Sequence, residues 1–99
     1  MVKLIVLYRK PADPAAFDKH YNEIHKPLAA SIPGLVKMEV ARCFGSPGGE
    51  PQFYQVAELY FESKDALFAG LQSPEGKAAA KDVMGFAGDI IHMMFANVT

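Results

Sequence analysis

The chain has 99 residues, one cysteine and a formal charge of −1 at pH 7. That length suits a single domain. The lone Cys43 excludes an internal disulfide, and the thin scatter of Lys and Arg excludes a basic stripe for nucleic-acid phosphates. With 51% apolar and 21% charged residues, the composition is that of a folded globule rather than a disordered chain.

The opening MVKLIVLYRK has one short apolar run, Leu4 to Leu7, far below the ~20 residues that cross a bilayer. It also lacks a signal-peptide core and a small-residue cleavage site, so it reads as a first strand, Val2 to Tyr8. With the single cysteine, this makes a cytoplasmic location the expectation. Asp13 and Pro14 form an N-cap and first-turn pair: the carboxylate accepts orphan backbone N–H groups, and proline has none to lose. The helix they start is expected to run to about Ala30, where Ser31-Ile32-Pro33-Gly34 stops it. Leu35 to Phe44 alternates as a second strand, Gly45 to Pro51 is a flexible loop, and Phe53 to Phe61 is an aromatic-rich third strand. Ser63 caps a short helix to about Leu71, and Ser73-Pro74-Glu75 starts another that fades near Gly85. Asp89 to Val98 is the fourth strand. The order β-α-β-β-α-(α)-β matches the ferredoxin-like split βαβ pattern: an α+β domain over residues 1–99, with a four-stranded antiparallel sheet and helices on one face. Because the strands carry apolar residues at both parities, the open sheet face is expected to be buried in a homodimer.

On a helical wheel, Phe17, Tyr21, Ile24 and Leu28 form one stripe, the face expected against the sheet. His20 and His25 lie on opposite flanks of it, about 140° apart. That spacing cannot chelate one ion from a regular helix, so no metal site is expected. Pro27 has no N–H for the carbonyl of Glu23, which predicts a bend or a broken bond just after His25. An imidazole at such a bend can line a helix–sheet cleft and transfer protons near neutrality. It can equally be a boundary residue that hydrogen-bonds backbone.

On the strands, Tyr8 shares a face with Val2, Leu4 and Val6, and Tyr54, Val56, Glu58 and Tyr60 share another. Glu58 is then an exposed charge or an acid of raised pKa, and Arg42 can pair with it across neighbouring strands. His92, beside Met94 and Ala96, reads as a core or interface histidine or as a group that orients substrate. Met84, Met93 and Met94 are gap fillers able to line a pocket for irregular apolar molecules. The chain has no G-x-G-x-x-G, Walker-type loop, C-x-x-C or G-x-S-x-G, so no bound organic cofactor is expected.

Phe17, Tyr21, His25, Pro27 and Leu28, followed by Ile32-Pro33-Gly34-Leu35, spell F-x-x-x-Y-x-x-x-H-x-P-L and then I-P-G-L. This resembles the signature of the EthD family, named for a protein of ethyl tert-butyl ether degradation. The resemblance extends to the Y-R-K-P end of the first strand, the aromatic third strand and the S-P-E-G helix start. It implies a ferredoxin-like fold that dimerises into an α+β barrel, with His25 in a pocket. Relatives in the superfamily include cofactor-free monooxygenases, muconolactone isomerases and polyketide dehydratases or cyclases, which implies a small apolar organic ligand. The expectation is a cofactor-free oxidoreductase or monooxygenase-like enzyme, or a proton-transfer enzyme of isomerase or dehydratase type. His25 is its expected acid/base, with Tyr8, Tyr21, Tyr54 and His92 as substrate contacts. The alternative is a non-catalytic partner of an oxygenase system that binds a small apolar molecule. His20 has no place in the motif.

Overall fold

Burial alternates strictly along Val2–Tyr8 (β1) in the computed structural model, which describes residues 1–99. Val2, Leu4, Val6 and Tyr8 are buried on one face, while Lys3, Ile5 and Leu7 are half-buried on the other. The period of two puts these buried side chains on a single face, and β1 is one of the two inner strands of the sheet. It pairs antiparallel with Gln55–Phe61 (β3) on one side and Ile91–Asn97 (β4) on the other. Leu35–Arg42 (β2) adds antiparallel to β3, giving the order β2-β3-β1-β4. The register sets Ala57 and Leu59 of β3, and Met93 and Phe95 of β4, level with Val6 and Leu4. One face is therefore apolar across the sheet, interrupted at one end by Gln55 and Arg42.

Helices cover that face. Pro14–His20 (α1) leads through a π-helical turn, Tyr21–His25, into Lys26–Ala30 (α2); Lys64–Gln72 (α3) and Pro74–Ala87 (α4) complete the layer. The starts follow the sequence. The Asp13 carboxylate accepts from the Ala16 N–H, the Ser63 hydroxyl from Ala66 and the Ser73 hydroxyl from Gly76, and each such cap contributes about 1 kcal/mol. After α2 the chain turns through Gly34 at φ +83°, a region that L side chains avoid. At Gly70 a Cβ would stand 2.6 Å from the Pro33 carbonyl oxygen, so glycine is what lets α3 cross that turn closely. The result is the expected α+β ferredoxin-like arrangement. Phe61 and Leu67, both fully buried, anchor one end of the core, where truncation to Ala costs about 2–5 kcal/mol. No helix is long and apolar enough to cross a membrane.

The uncovered sheet face is mixed. Ile5, Leu7 and Val56 are half-buried there, beside an ion pair from Lys3 Nζ to Glu58 Oε2 at 2.6 Å. Lys37 lies over the Tyr60 ring, 4.5 Å from its centroid. The expected Arg42–Glu58 pair does not form, because the register sends the two side chains to opposite faces. Arg42 stands opposite Gln55, and its Nη2 donates to Asp18 Oδ1 at 2.7 Å and Gln55 Oε1 at 3.0 Å.

Candidate active site

The buried residues of the first helical segment are Phe17, Tyr21, His25 and Ala29, whereas Ile24 is 48% exposed. A regular wheel put Ile24 in that stripe and His25 on its flank. The π turn accounts for the difference: the Lys26 N–H donates to the Tyr21 carbonyl, five residues back. One extra residue in the turn shifts all later positions, turning the imidazole inward and Ile24 out. Pro27 fits this register. It sits in the first turn of α2, where a missing N–H leaves no partner unsatisfied. The disturbance expected at Pro27 is thus taken up by the π turn before it.

The same widening corrects the separation of the two histidines. His20 Nε2 and His25 Nδ1 both meet Asp82 of α4, at Oδ1 (2.9 Å) and Oδ2 (3.0 Å) respectively. Phe86, one turn further along α4, lies 4.3 Å from the His20 ring and 5.4 Å from the His25 ring, centroid to centroid. Each imidazole takes its own carboxylate oxygen, and no group of three His, Cys, Asp or Glu has metal-holding geometry. A carboxylate only accepts, so Nδ1 of His25 carries the ring proton and Nε2 keeps its lone pair. Burial pushes His25 below the ordinary imidazole value. The hydrogen bond and charge of Asp82 pull the other way without overcoming it, and His20 adds to the lowering. Near neutral pH His25 is therefore an uncharged imidazole with a fixed tautomer.

His25 lines a cavity of about 330 Å³ between sheet and helices. Leu4, Val6, Leu59, Ala79 and Val83 are among its walls, and the half-exposed Met84, Met93 and Phe95 lie towards the β4 edge. The imidazole is the only nitrogen-bearing side chain on the lining; the phenols of Tyr8 and Tyr21 supply its side-chain oxygens. The Tyr21 ring stands 5.4 Å from His25 and 5.7 Å from Tyr8. Burial pushes Tyr21 up to about 12 and Tyr8 higher still, helped by Tyr21 and the Asp82 charge. Both remain protonated donors. Met84 and Met93 line the cavity, in keeping with their adaptable side chains, whereas Met94 borders it from a strand position paired with Ile5, which turns its side chain to the open face.

Tyr54 and His92 contribute no cavity wall, contrary to expectation. Tyr54 precedes β3, its hydroxyl donates to Asp18 at 3.1 Å, and the Arg42 guanidinium lies 3.9 Å above its ring. His92 pairs with Leu7, so strand parity places it on the opposite sheet face, where Nε2 lies 3.1 Å from Arg9 Nη1. Asp82 and His20 went unassigned in the sequence. The signal for Asp82 was an acid next to Val83 at the edge of the α4 apolar stripe. Its partners become visible only once the π turn is known.

Residues 9–90 match the EthD domain. The chain belongs to the EthD family. An uncharacterized 11.0 kDa protein of the thcB-thcC intergenic region of Rhodococcus erythropolis is 41% identical over 97 residues, covering 98% of this EthD chain and 94% of that protein. The crystal structure of an EthD family protein from Bacillus halodurans is 45% identical, with a TM-score of 0.97 over 100% of this chain and 99% of that one. SnoaB, a cofactor-independent oxygenase from Streptomyces nogalater, is 16% identical, with a TM-score of 0.71 over 98% of this chain and 91% of its own. That last likeness shows a shared fold and nothing finer.

Proposed function

We propose that this EthD protein is an enzyme that moves a proton on a small apolar molecule, with His25 as the base and no organic cofactor. The observation that carries this reading is a neutral imidazole at the wall of an apolar cavity, its Nδ1 committed to Asp82 and its Nε2 left over. A substrate enters past the methionines and presents an acidic hydrogen within about 3 Å of Nε2. The imidazolium that forms is stabilised by Asp82, whose second oxygen is held by His20. Tyr8 and Tyr21 orient the substrate. The proton then returns at another atom, as in an isomerase or dehydratase, or the deprotonated substrate reacts with dioxygen. The oxygenase of the same fold is a precedent for the second course.

The reading includes a homodimer through the open sheet face, supported by the apolar Ile5, Leu7, Val56 and Met94 on that face. Light scattering on the purified protein tests it; a monomer at micromolar concentration contradicts it.

The base assignment is tested by proton–deuterium exchange into a panel of small ketones and phenol ethers in heavy water, followed by NMR. The wild type is expected to catalyse exchange for at least one carbonyl compound, and His25→Gln to lose about 100-fold or more with an unchanged melting temperature. Equal rates in the two proteins overturn the assignment. Tight binding across the panel with no exchange supports the non-catalytic partner instead.

A further inference from the structure

We propose that Tyr8 and Tyr21 form an oxyanion hole, and that the substrate is an uncharged enolisable carbonyl compound or phenol whose proton loss leaves the charge on oxygen. This deepens the base reading and rests on it for the destination of the proton. The two phenols line the same cavity as His25, with ring centroids 5.7 Å apart, and Tyr21 stands 5.4 Å from the imidazole. The sealed polar side-chain atom without a partner is Gln55 Nε2, so neither phenol oxygen is shut away from the cavity that both rings line. A ligand oxygen placed there can accept from both hydroxyls.

The rest of the lining narrows the ligand. No lysine or arginine lines the cavity, so a carboxylate or phosphate would enter an apolar space without a counter-charge, which is strongly unfavourable. A plain hydrocarbon leaves both hydroxyls unmet and has no acidic hydrogen. A neutral molecule with one oxygen and one activated hydrogen satisfies both demands. The substrate C–H or O–H bond breaks, and its proton bonds to His25 Nε2. The electron pair stays on the substrate and comes to rest on oxygen. Tyr8 and Tyr21 donate to that oxygen and keep their own protons. The charge created is an enolate or phenolate beside an imidazolium, and no oxidant is consumed. Donors preset where charge develops are worth far more in a dry site than in water.

The test titrates the 99-residue protein with para-nitrophenol, whose visible band reports its ionisation, and with para-nitroanisole, which adds one methyl group and has no acidic proton. The wild type is expected to bind the phenol at least about tenfold more tightly than the ether and to shift it towards phenolate. Tyr8→Phe and Tyr21→Phe should each narrow that ratio by about tenfold, the phenol losing far more affinity than the ether, whose oxygen is the weaker acceptor. A purely structural role would weaken both probes in parallel, and that outcome overturns the proposal, as does a wild-type ratio near one. His25→Gln separates the two readings. If the tyrosine variants narrow the ratio while His25→Gln still ionises the probe, the oxyanion hole stands and the base assignment falls. If His25→Gln abolishes exchange while the tyrosine variants leave the ratio intact, the base stands and the oxyanion hole falls.

Discussion

The two faces of the sheet each hold a histidine beside a charged partner, and the partners give them opposite capacities. On the helix face, His25 meets the acceptor-only Asp82 through Nδ1, so Nε2 keeps a lone pair facing an apolar cavity. On the open face, His92 meets the donor-only Arg9 through Nε2 at 3.1 Å, so that lone pair is used and the ring edge rests on Phe53. Both lie next to rings and both are hydrogen-bonded. What separates the two is which nitrogen the partner occupies and which is left with a free lone pair.

Substitution at the two histidines should give the most unequal outcomes. His25→Gln should lower proton exchange by about 100-fold or more, whereas His92→Gln should leave it within about twofold, since a group outside the cavity has no transition-state contact to lose. Similar losses from both would remove the distinction. Asp82→Asn comes next. An amide can donate as well as accept, so the His25 tautomer is no longer fixed, and exchange should fall at least about tenfold. Because the Asp82 charge and hydrogen bond raise the His25 pKa, the acid limb of the residual activity should move to lower pH. A move to higher pH contradicts the geometry.

The dependence of stability on pH is a smaller effect. The folded-state pKa of His25 lies below its ordinary 6.5. The contribution of its neutral form to stability is therefore full above pH 6.5 and lost as pH falls through 6.5 towards the folded value. Urea unfolding should show the wild type losing stability below pH 6.5 more steeply than His25→Gln; parallel curves would count against a buried neutral imidazole. The smallest effect belongs to the π turn. Ile24→Ser should change stability by less than about 0.5 kcal/mol, because Ile24 faces solvent, whereas a regular α register predicts a core-sized loss of about 2–5 kcal/mol.

The fold was legible because its signals are local. Alternation in β1, the Asp13, Ser63 and Ser73 caps and the stop at Pro33-Gly34 each act within a few residues. His25 was also legible, through its place in the EthD-like motif and its nearness to Pro27. What escaped depends on a shifted register. A wheel at 3.6 residues per turn places Ile24 inward and holds His20 away from His25, and only the five-residue hydrogen bond of the π turn reverses both. Asp82 lies 57 residues from His25, with no local pattern linking them. Tyr54 and His92 stand off the cavity lining, which strand parity does not reveal, because it says which residues share a face but not which face the helices cover. The β3 ladder also begins one residue after Tyr54.

His25 is neutral in this structure, with its proton on Nδ1 and its lone pair on Nε2. Nitrogen NMR of the imidazole across a pH titration measures this directly. A bare Nε2 at neutral pH, an Nδ1–H proton signal that shifts in Asp82→Asn, and titration below the ordinary 6.5 are expected. A proton on Nε2, or an imidazolium persisting above pH 6.5, would contradict the neutral assignment.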